Sequence, residues 1–158
     1  MRLGLIADTH GRVRASVHEV FRKVDLILHA GDLGGAEVLE ELELLAKVVA
    51  VYGNVESGIM RRRLPQVARL EVDDLRFVVT HGDQLASREP EALKKAFPEA
   101  DVIVFGHTHR ALIHNFPDFS VVINPGAAGP GRFDLKPSVA ILETEPGLPP
   151  RARIVELT

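Results

Sequence analysis

The sequence contains no cysteine among its 158 residues. This absence excludes disulfide bonds, catalytic thiolates and zinc sites built on thiolate ligands. No apolar stretch approaches the roughly 20 residues that a membrane-spanning helix needs. The apolar run at residues 3–7 is also too short for the core of a secretory signal peptide. The sequence therefore predicts a cytoplasmic protein with no membrane partner.

An excess of basic charge is also lacking, since the formal net charge is −3. The sequence thus has no electrostatic footprint for nucleic acid. Its one basic run, at residues 61–63, predicts a solvated surface turn. The apolar fraction of 46% and the charged fraction of 26% are those of an ordinary globular protein. This length predicts a single domain spanning residues 1–158, and self-association into a homo-oligomer is compatible with the composition.

The first third of the chain alternates predicted strands with predicted helices. Apolar runs predict strands at residues 2–7, 26–30 and 47–52. Apolar residues at helical spacing predict helices at residues 13–24 and 36–46. The connections are short, and this β-α-β-α-β pattern is typical of parallel strands joined by right-handed crossovers.

The remainder of the chain is richer in predicted strands. A hairpin is expected from residues 67–72 and 75–80, and a helix from residues 90–97. The segment 57–65 is predicted to be irregular. Further strands are predicted at residues 102–105, 119–123, 139–143 and 152–157. The sum is a mixed α/β protein with about nine strands, three helices and two packed sheets between helical layers.

Polar side chains follow the predicted strands where each strand ends. In open α/β sheets, ligands bind beyond the carboxyl ends of the strands. Neutral imidazoles, carboxylates and amide oxygens together suit hard or borderline divalent metals. Seven such ligands exceed what one catalytic ion with an open position binds, so the pattern predicts two ions that share a carboxylate. The seven are Asp8, His10, Asp32, Asn54, His81, His107 and His109.

The other histidines receive different interpretations. His18 lies within a predicted helix and His114 in a strand-like stretch, which favours structural or solvated roles. His29 is three residues before Asp32. For His29 we favour a packed or hydrogen-bonded core histidine over a partner of the metal ligands.

Five short motifs resemble, in order, the five blocks of the calcineurin-like metallophosphoesterase superfamily. The short chain, with its Asn124-Pro125-Gly126 sequence and Gly/Pro-rich loop, resembles the small prokaryotic phosphodiesterase branch of that superfamily. The resemblance implies a four-layer αββα sandwich of two mixed β-sheets flanked by helices. The motifs are Asp8-x-His10, Gly31-Asp32, Gly53-Asn54, His81-Gly82 and Gly106-His107-x-His109.

The resemblance also distributes the ligands between two divalent ions. One ion would be bound by Asp8, His10, Asp32 and His109, and the other by Asp32, Asn54, His81 and His107. Asp32 is then the bridge. Nitrogen and oxygen ligation without sulfur makes manganese our first choice, with nickel, iron, cobalt and zinc as alternatives.

The expected function is hydrolysis of small phosphodiesters by a metal-bridging hydroxide, with Asp32, Asn54 and His107 as catalytic residues. Asn54 would also orient a phosphoryl oxygen of the substrate. Arg132 is a candidate for a further phosphate contact, although we favour a simple surface charge there. Val55 departs from the family pattern, because many members place a proton-donating histidine at this position.

Three other functions fit the sequence less well. A non-catalytic protein-binding scaffold of the same fold occurs in the retromer complex, but its metal site is impaired, whereas every ligand type is present here. A nuclease acting on long DNA would need a basic groove or an extra domain. Protein serine/threonine phosphatases are disfavoured because no arginine stands beside Asp32 and the chain is short.

Overall fold

The computed structural model describes residues 1–131 and 134–158, which form ten strands and four helices. The strands are β1 (Arg2–Ile6), β2 (Leu26–His29), β3 (Lys47–Ala50), β4 (Val67–Val72), β5 (Leu75–Thr80), β6 (Val102–Val104), β7 (Leu112–Asn115), β8 (Val121–Asn124), β9 (Ser138–Glu143) and β10 (Arg151–Glu156). The helices are α1 (Ala15–Val20), α2 (Ala36–Glu43), α3 (Gly58–Arg63) and α4 (Pro90–Ala96).

The described strands pair into two mixed sheets. The first has the order β10-β9-β1-β2-β3 and the second the order β4-β5-β6-β8-β7. β1, β2 and β3 are parallel neighbours, whereas β9 runs antiparallel to β1. In the second sheet β5, β6 and β8 are parallel, and β4 and β7 are antiparallel edge strands. The parallel strands therefore direct their carboxyl ends to one edge of each sheet.

Three apolar clusters separate four layers. Leu5, Val79 and Val104 belong to the cluster between the two sheets. Phe21 and Leu42 belong to a second cluster, where α1 and α2 cover the outer face of the first sheet. A third cluster joins α4 to the outer face of the second sheet. Because both faces of the central strands are buried, their sequences are nearly continuous apolar runs. The predicted αββα sandwich is confirmed.

Two elements differ from the sequence prediction. β7 was not among the predicted strands, although His114 was placed in a strand-like stretch, because β7 is a half-exposed edge strand whose side chains show little apolar patterning. The prediction of an irregular segment at residues 57–65, with a surface turn at residues 61–63, was wrong, since α3 (Gly58–Arg63) spans most of this segment. Residues 61–63 are exposed, and Met60 is the buried residue of this helix. Arginines in the last turn of a helix complement the negative end of its dipole.

None of the four helices in the described ranges has both the length and the apolar character needed to cross a membrane. The assignment of all 158 residues to a single domain stays a prediction.

Candidate metal centre

The backbone of the candidate ligands is strained in a common way. Asp8, His10, Asp32, His107 and His109 all adopt left-handed conformations, with φ between 49° and 71°. Such values are uncommon for residues other than glycine and persist only where the surrounding structure enforces them. These residues follow β1, β2 and β6, so the strained positions lie at the carboxyl ends of parallel strands from both sheets. Clustered strain of this kind is typical of a functional site.

Asp8 is the buried centre of the first group of ligands. Its Oδ1 lies 3.4 Å from Nε2 of His109, 3.9 Å from Nε2 of His81 and 4.0 Å from Nε2 of His10. Among the residues that the structure describes, this oxygen has no hydrogen-bond partner. A buried carboxylate oxygen without a partner is unfavourable. A cation bound by this oxygen would remove that penalty.

Asp32 lies between the histidines of two loops. Its Oδ2 is 3.3 Å from Nε2 of His81 and 3.9 Å from Nε2 of His10. Its Oδ1 accepts a hydrogen bond of 3.1 Å from the backbone N–H of Val55. One carboxylate oxygen is thus engaged by backbone, and the other faces the imidazoles.

Asn54 joins the remaining two histidines. Its Oδ1 is 3.0 Å from Nε2 of His81 and 3.3 Å from Nδ1 of His107. The rings of His81 and His107 meet edge to face at 5.1 Å between centroids. These three side chains form a second group of donors beside the Asp8 group.

His81 is oriented by a hydrogen bond behind its ligand face. Its Nδ1 donates to the carbonyl oxygen of Ala30 at 2.8 Å, which directs Nε2 towards Asp32 and Asn54. The φ of Gly31 is 94°, and a Cβ atom there would lie 2.7 Å from Nδ1 of His81. Only glycine therefore fits between Ala30 and Asp32. A hydrogen bond of this kind fixes the tautomer of a metal-binding imidazole.

The electrostatic environment shifts the pKa values of the ligands in different directions. Burial opposes charge on His81, but its hydrogen bond to Asp32 and the charges of Asp8 and Asp32 raise its pKa overall. Burial also opposes charge on Asp32, yet the contact with His81 holds the pKa of Asp32 below its usual value. Burial, followed by the charge of His81, lowers the pKa of His107. A metal bound here would displace a proton from His81.

His29 lies beneath the ligands and is fully buried. Its Nδ1 accepts a hydrogen bond of 3.1 Å from the N–H of Gly31, so Nε2 carries the proton and donates to Oγ of Thr9 at 3.0 Å. The Thr9 hydroxyl in turn donates to the carbonyl oxygen of Leu33 at 2.9 Å. Burial, then the charge of His81, lowers the pKa of His29 to about 3. The prediction of a hydrogen-bonded core histidine is confirmed.

The other predicted residues fall outside this cluster. His18 is 2.7 Å from Glu41, and His114 is 3.9 Å from Glu91, and both histidines are more than a third exposed. Val55 is 47% exposed, and its backbone N–H donates a hydrogen bond to Asp32. Arg132 lies outside the described residues.

The sequence reasoning missed Thr9, whose hydroxyl connects His29 to the loop that carries Asp32. Thr9 stands between two predicted ligands, Asp8 and His10, and is fully buried. Its place inside the first motif was the one available signal.

The donor set fits a divalent metal centre. Two triads have ligand atoms that all lie within 4.8 Å of one another: Asp8, His10 and His109, and Asp8, Asp32 and His81. Asp8 is common to both triads, and Asp32 reaches towards histidines of two loops. Two carboxylates, an amide oxygen and four imidazoles are suitable ligands for manganese, iron, cobalt, nickel or zinc. The shared role assigned to Asp32 stays a prediction.

Comparison with known proteins agrees with this geometry. The family model described as the calcineurin-like phosphoesterase superfamily domain matches residues 1–147. A probable metallophosphoesterase from Methanothermobacter thermautotrophicus is 38% identical over 154 residues, which cover 92% of this chain and 87% of that protein.

Solved structures share the fold. A structure described as a novel archaeal phosphodiesterase is 28% identical, with a TM-score of 0.78 and coverage of 99% of this chain and all of that chain. Vacuolar protein sorting 29 from Cryptosporidium parvum has a TM-score of 0.82 at 19% identity, covering 99% of this chain and 97% of its own. The second likeness concerns the fold alone.

Proposed function

Because this chain belongs to the calcineurin-like phosphoesterase superfamily, we propose that it is a dinuclear metal-dependent phosphodiesterase acting on small phosphodiesters. The observation that carries the proposal is the buried Oδ1 of Asp8, which faces three imidazoles and has no hydrogen-bond partner among the described residues. Both oxygens of a buried structural carboxylate would be hydrogen-bonded within the protein, whereas an oxygen that binds a metal ion needs no such partner.

We assign the ligands to two ions. Asp8, His10 and His109 would bind the first, and Asn54, His81 and His107 the second. Asp32 would serve both, since its Oδ2 lies near His10 on one side and His81 on the other. Manganese is our first choice of metal, with nickel, iron, cobalt and zinc as alternatives.

When bound, two divalent ions would activate a water molecule for attack on phosphorus and offset the charge that develops on the phosphoryl oxygens. The residues of the chain hold the geometry. Asp32 is fixed by the N–H of Val55, and His81 by the carbonyl oxygen of Ala30. Asn54 presents its amide oxygen towards His81 and His107, which leaves its N–H₂ group free to orient a phosphoryl oxygen.

The preference for phosphodiesters rests on the relative described as an archaeal phosphodiesterase, of which this chain covers the whole length. We propose small phosphodiesters because the sequence offers neither a long insertion nor an excess of basic charge for a macromolecular substrate. Cytoplasmic location and self-association stay predictions from the sequence.

The alternative is a non-catalytic scaffold that binds proteins, for which the likeness to vacuolar protein sorting 29 is the specific observation. That likeness is at 19% identity and concerns the fold. The complete set of ligand types and the strained backbone around it favour the enzyme.

The test is a hydrolysis screen of the purified protein, freed of metal by a chelator and reloaded with Mn²⁺, Ni²⁺, Co²⁺, Fe²⁺ or Zn²⁺. Substrates would be aryl and alkyl phosphodiesters and monoesters, with a phosphopeptide as the comparison. We expect diesterase activity that depends on added metal and disappears in His109→Ala. The matched control is His114→Ala, since His114 is a partly exposed histidine outside the cluster. Protein binding without hydrolysis under any metal would support the scaffold instead.

A further inference from the structure

Glu56 is a buried carboxylate close to the candidate metal centre that no ligand assignment uses. It stands two residues after Asn54 and is 6% exposed. Its Oε2 accepts hydrogen bonds from the N–H groups of Asp32 at 3.1 Å and Gly53 at 2.5 Å. Its Oε1 accepts one from the N–H of Gly34 at 3.1 Å. Three backbone donors therefore converge on one side chain.

These donors belong to two different loops. Asp32 and Gly34 lie in the loop after β2, and Gly53 lies in the loop after β3, directly before Asn54. The Glu56 carboxylate thus connects the loop that carries one candidate ligand to the loop that carries another. A charge-assisted hydrogen bond of this kind is stronger than one between neutral groups.

The connection is reciprocal. The N–H of Val55 donates to Oδ1 of Asp32 at 3.1 Å, while the N–H of Asp32 donates to Glu56. A Cβ atom on Gly53 would lie 2.1 Å from Oδ1 of Asp32, so the two loops are in close contact. Asp32 adopts a left-handed conformation with φ of 58°, which needs such enforcement.

We propose that Glu56 is a positioning residue, which holds Asp32 and Asn54 at the separation that divalent metal binding requires. It acts through the backbone and does not touch the reacting atoms. Both of its oxygens already accept hydrogen bonds from N–H groups, so it differs from the ligands Asp8 and Asp32, each of which has an oxygen facing imidazoles. The inference rests on the proposed function only in that the site binds a divalent metal.

The experiment compares Mn²⁺ binding by the wild-type protein and Glu56→Gln, using isothermal titration of the metal-free proteins. A carboxamide keeps the size of the side chain but offers one acceptor oxygen, and its N–H₂ group would face a backbone N–H. Changes of this type next to metal ligands typically weaken metal binding by about 10- to 100-fold. The matched control is Glu40→Gln, because Glu40 is an exposed glutamate on α2. We expect the control to bind Mn²⁺ like the wild type.

Two further readouts separate positioning from a general role in folding. The metal-free Glu56→Gln protein should keep a cooperative thermal transition, and the visible absorption spectrum of its Co²⁺-loaded form should differ from that of the wild type. Loss of at least tenfold in Mn²⁺ affinity with a changed Co²⁺ spectrum supports the proposal. Affinity within twofold of the wild type overturns it.

If Glu56→Gln does not fold, Glu56→Asp decides by the same thresholds, because it retains the carboxylate but shortens its reach. Failure of both variants to fold would assign Glu56 to folding and overturn the proposal. The proposed function is judged separately. A wild-type protein that binds Mn²⁺ but hydrolyses no ester would refute the enzyme while leaving the Glu56 result intact.

Discussion

His81 in the candidate metal centre and His29 directly beneath it are both fully buried, yet burial has opposite outcomes for their charge. Beneath the centre, His29 accepts a hydrogen bond from Gly31 and donates one to Thr9, and burial lowers its pKa to about 3. In the centre His81 faces Asp32 and Asp8, and its pKa is raised. Burial alone therefore does not decide the charge of a histidine. The groups that face the ring decide it. A histidine whose two nitrogens are hydrogen-bonded to neutral groups has a structural role, whereas one that faces two carboxylates indicates a site for a cation.

The largest effect expected is in the centre, where Asp32→Ala should abolish most of the hydrolytic activity. The loss should be on the order of 10³-fold, equivalent to about 4 kcal/mol in the activation barrier. It should exceed the loss in His109→Ala, because Asp32 is proposed to serve both ions. Steady-state kinetics with metal analysis of each variant would measure this. Equal losses, with both metals retained in Asp32→Ala, would contradict the bridging role.

Val55 offers a way to add a group to the centre instead of removing one. A positioned general acid typically raises rates by about 10²- to 10⁴-fold, and most for poor leaving groups. The wild type, with valine here, should hydrolyse aryl esters much faster than alkyl esters. We expect Val55→His to flatten this dependence by raising the rates of alkyl esters, by up to about 10²-fold.

A leaving-group series on both proteins, with metal content checked, would measure the two slopes. A shallow slope in the wild type would mean that Val55 does not mark a missing acid. So would an unchanged slope in a variant that keeps both metals.

His29 should make the free energy of unfolding depend on pH. The pKa of His29 is lower in the folded protein than in the unfolded chain, where it is about 6.5. Below pH 6.5 the unfolded chain therefore binds more protons, and the stability contributed by neutral His29 is lost as the pH falls towards 3. Between pH 7 and pH 5 this loss amounts to about 2 kcal/mol.

Urea unfolding of the metal-free protein at both pH values would measure the loss, with His29→Asn as the comparison. The variant should lack this part of the slope. His81 acts in the opposite sense, since a raised pKa contributes stability at low pH that disappears as the pH rises through the folded value. An identical slope in His29→Asn would show that His29 is not neutral in the folded protein.

The smallest effect is expected at the surface, where His18 pairs with Glu41 at 2.7 Å and is more than a third exposed. Exposed pairs contribute about 0–1 kcal/mol. His18→Ala should therefore change the free energy of unfolding by less than about 1 kcal/mol and leave metal binding unchanged. A tenfold fall in Mn²⁺ affinity in this variant would break the distinction between the histidines of the centre and those outside it.

The sequence predicted what depends on local pattern. Apolar runs located most strands, and the seven predicted ligands that follow them lie close together in the structure. Helix bounds were less accurate, because the helical spacing around α1 continues through Phe21 and Val24, which are buried but lie beyond its end. β7 and α3 were missed because neither shows clear apolar periodicity. β7 is a half-exposed edge strand, and α3 is a short helix with one buried residue and three arginines in its last turn.

The supporting hydrogen bonds could not be predicted from the sequence. Thr9 and His29 are 20 residues apart, and Glu56 is 24 residues from Asp32. In each of these hydrogen bonds one partner is a small side chain or a backbone group, so the residue types alone do not indicate the contact. Only the register between β1, β2 and β3 brings these groups together.

The position of β1 has a consequence for the order of folding and metal binding. β1 lies between β2 and β9, with Leu3 paired to both Leu26 and Leu142. β2 follows β1 closely in the sequence, whereas β9 follows it only after all the strands of the second sheet. Pairing of strands so distant in sequence is slow, because the entropy of closing the long intervening loop opposes it. We therefore expect the metal to bind only after this sheet has formed, so that the ion stabilises a folded site and does not nucleate folding.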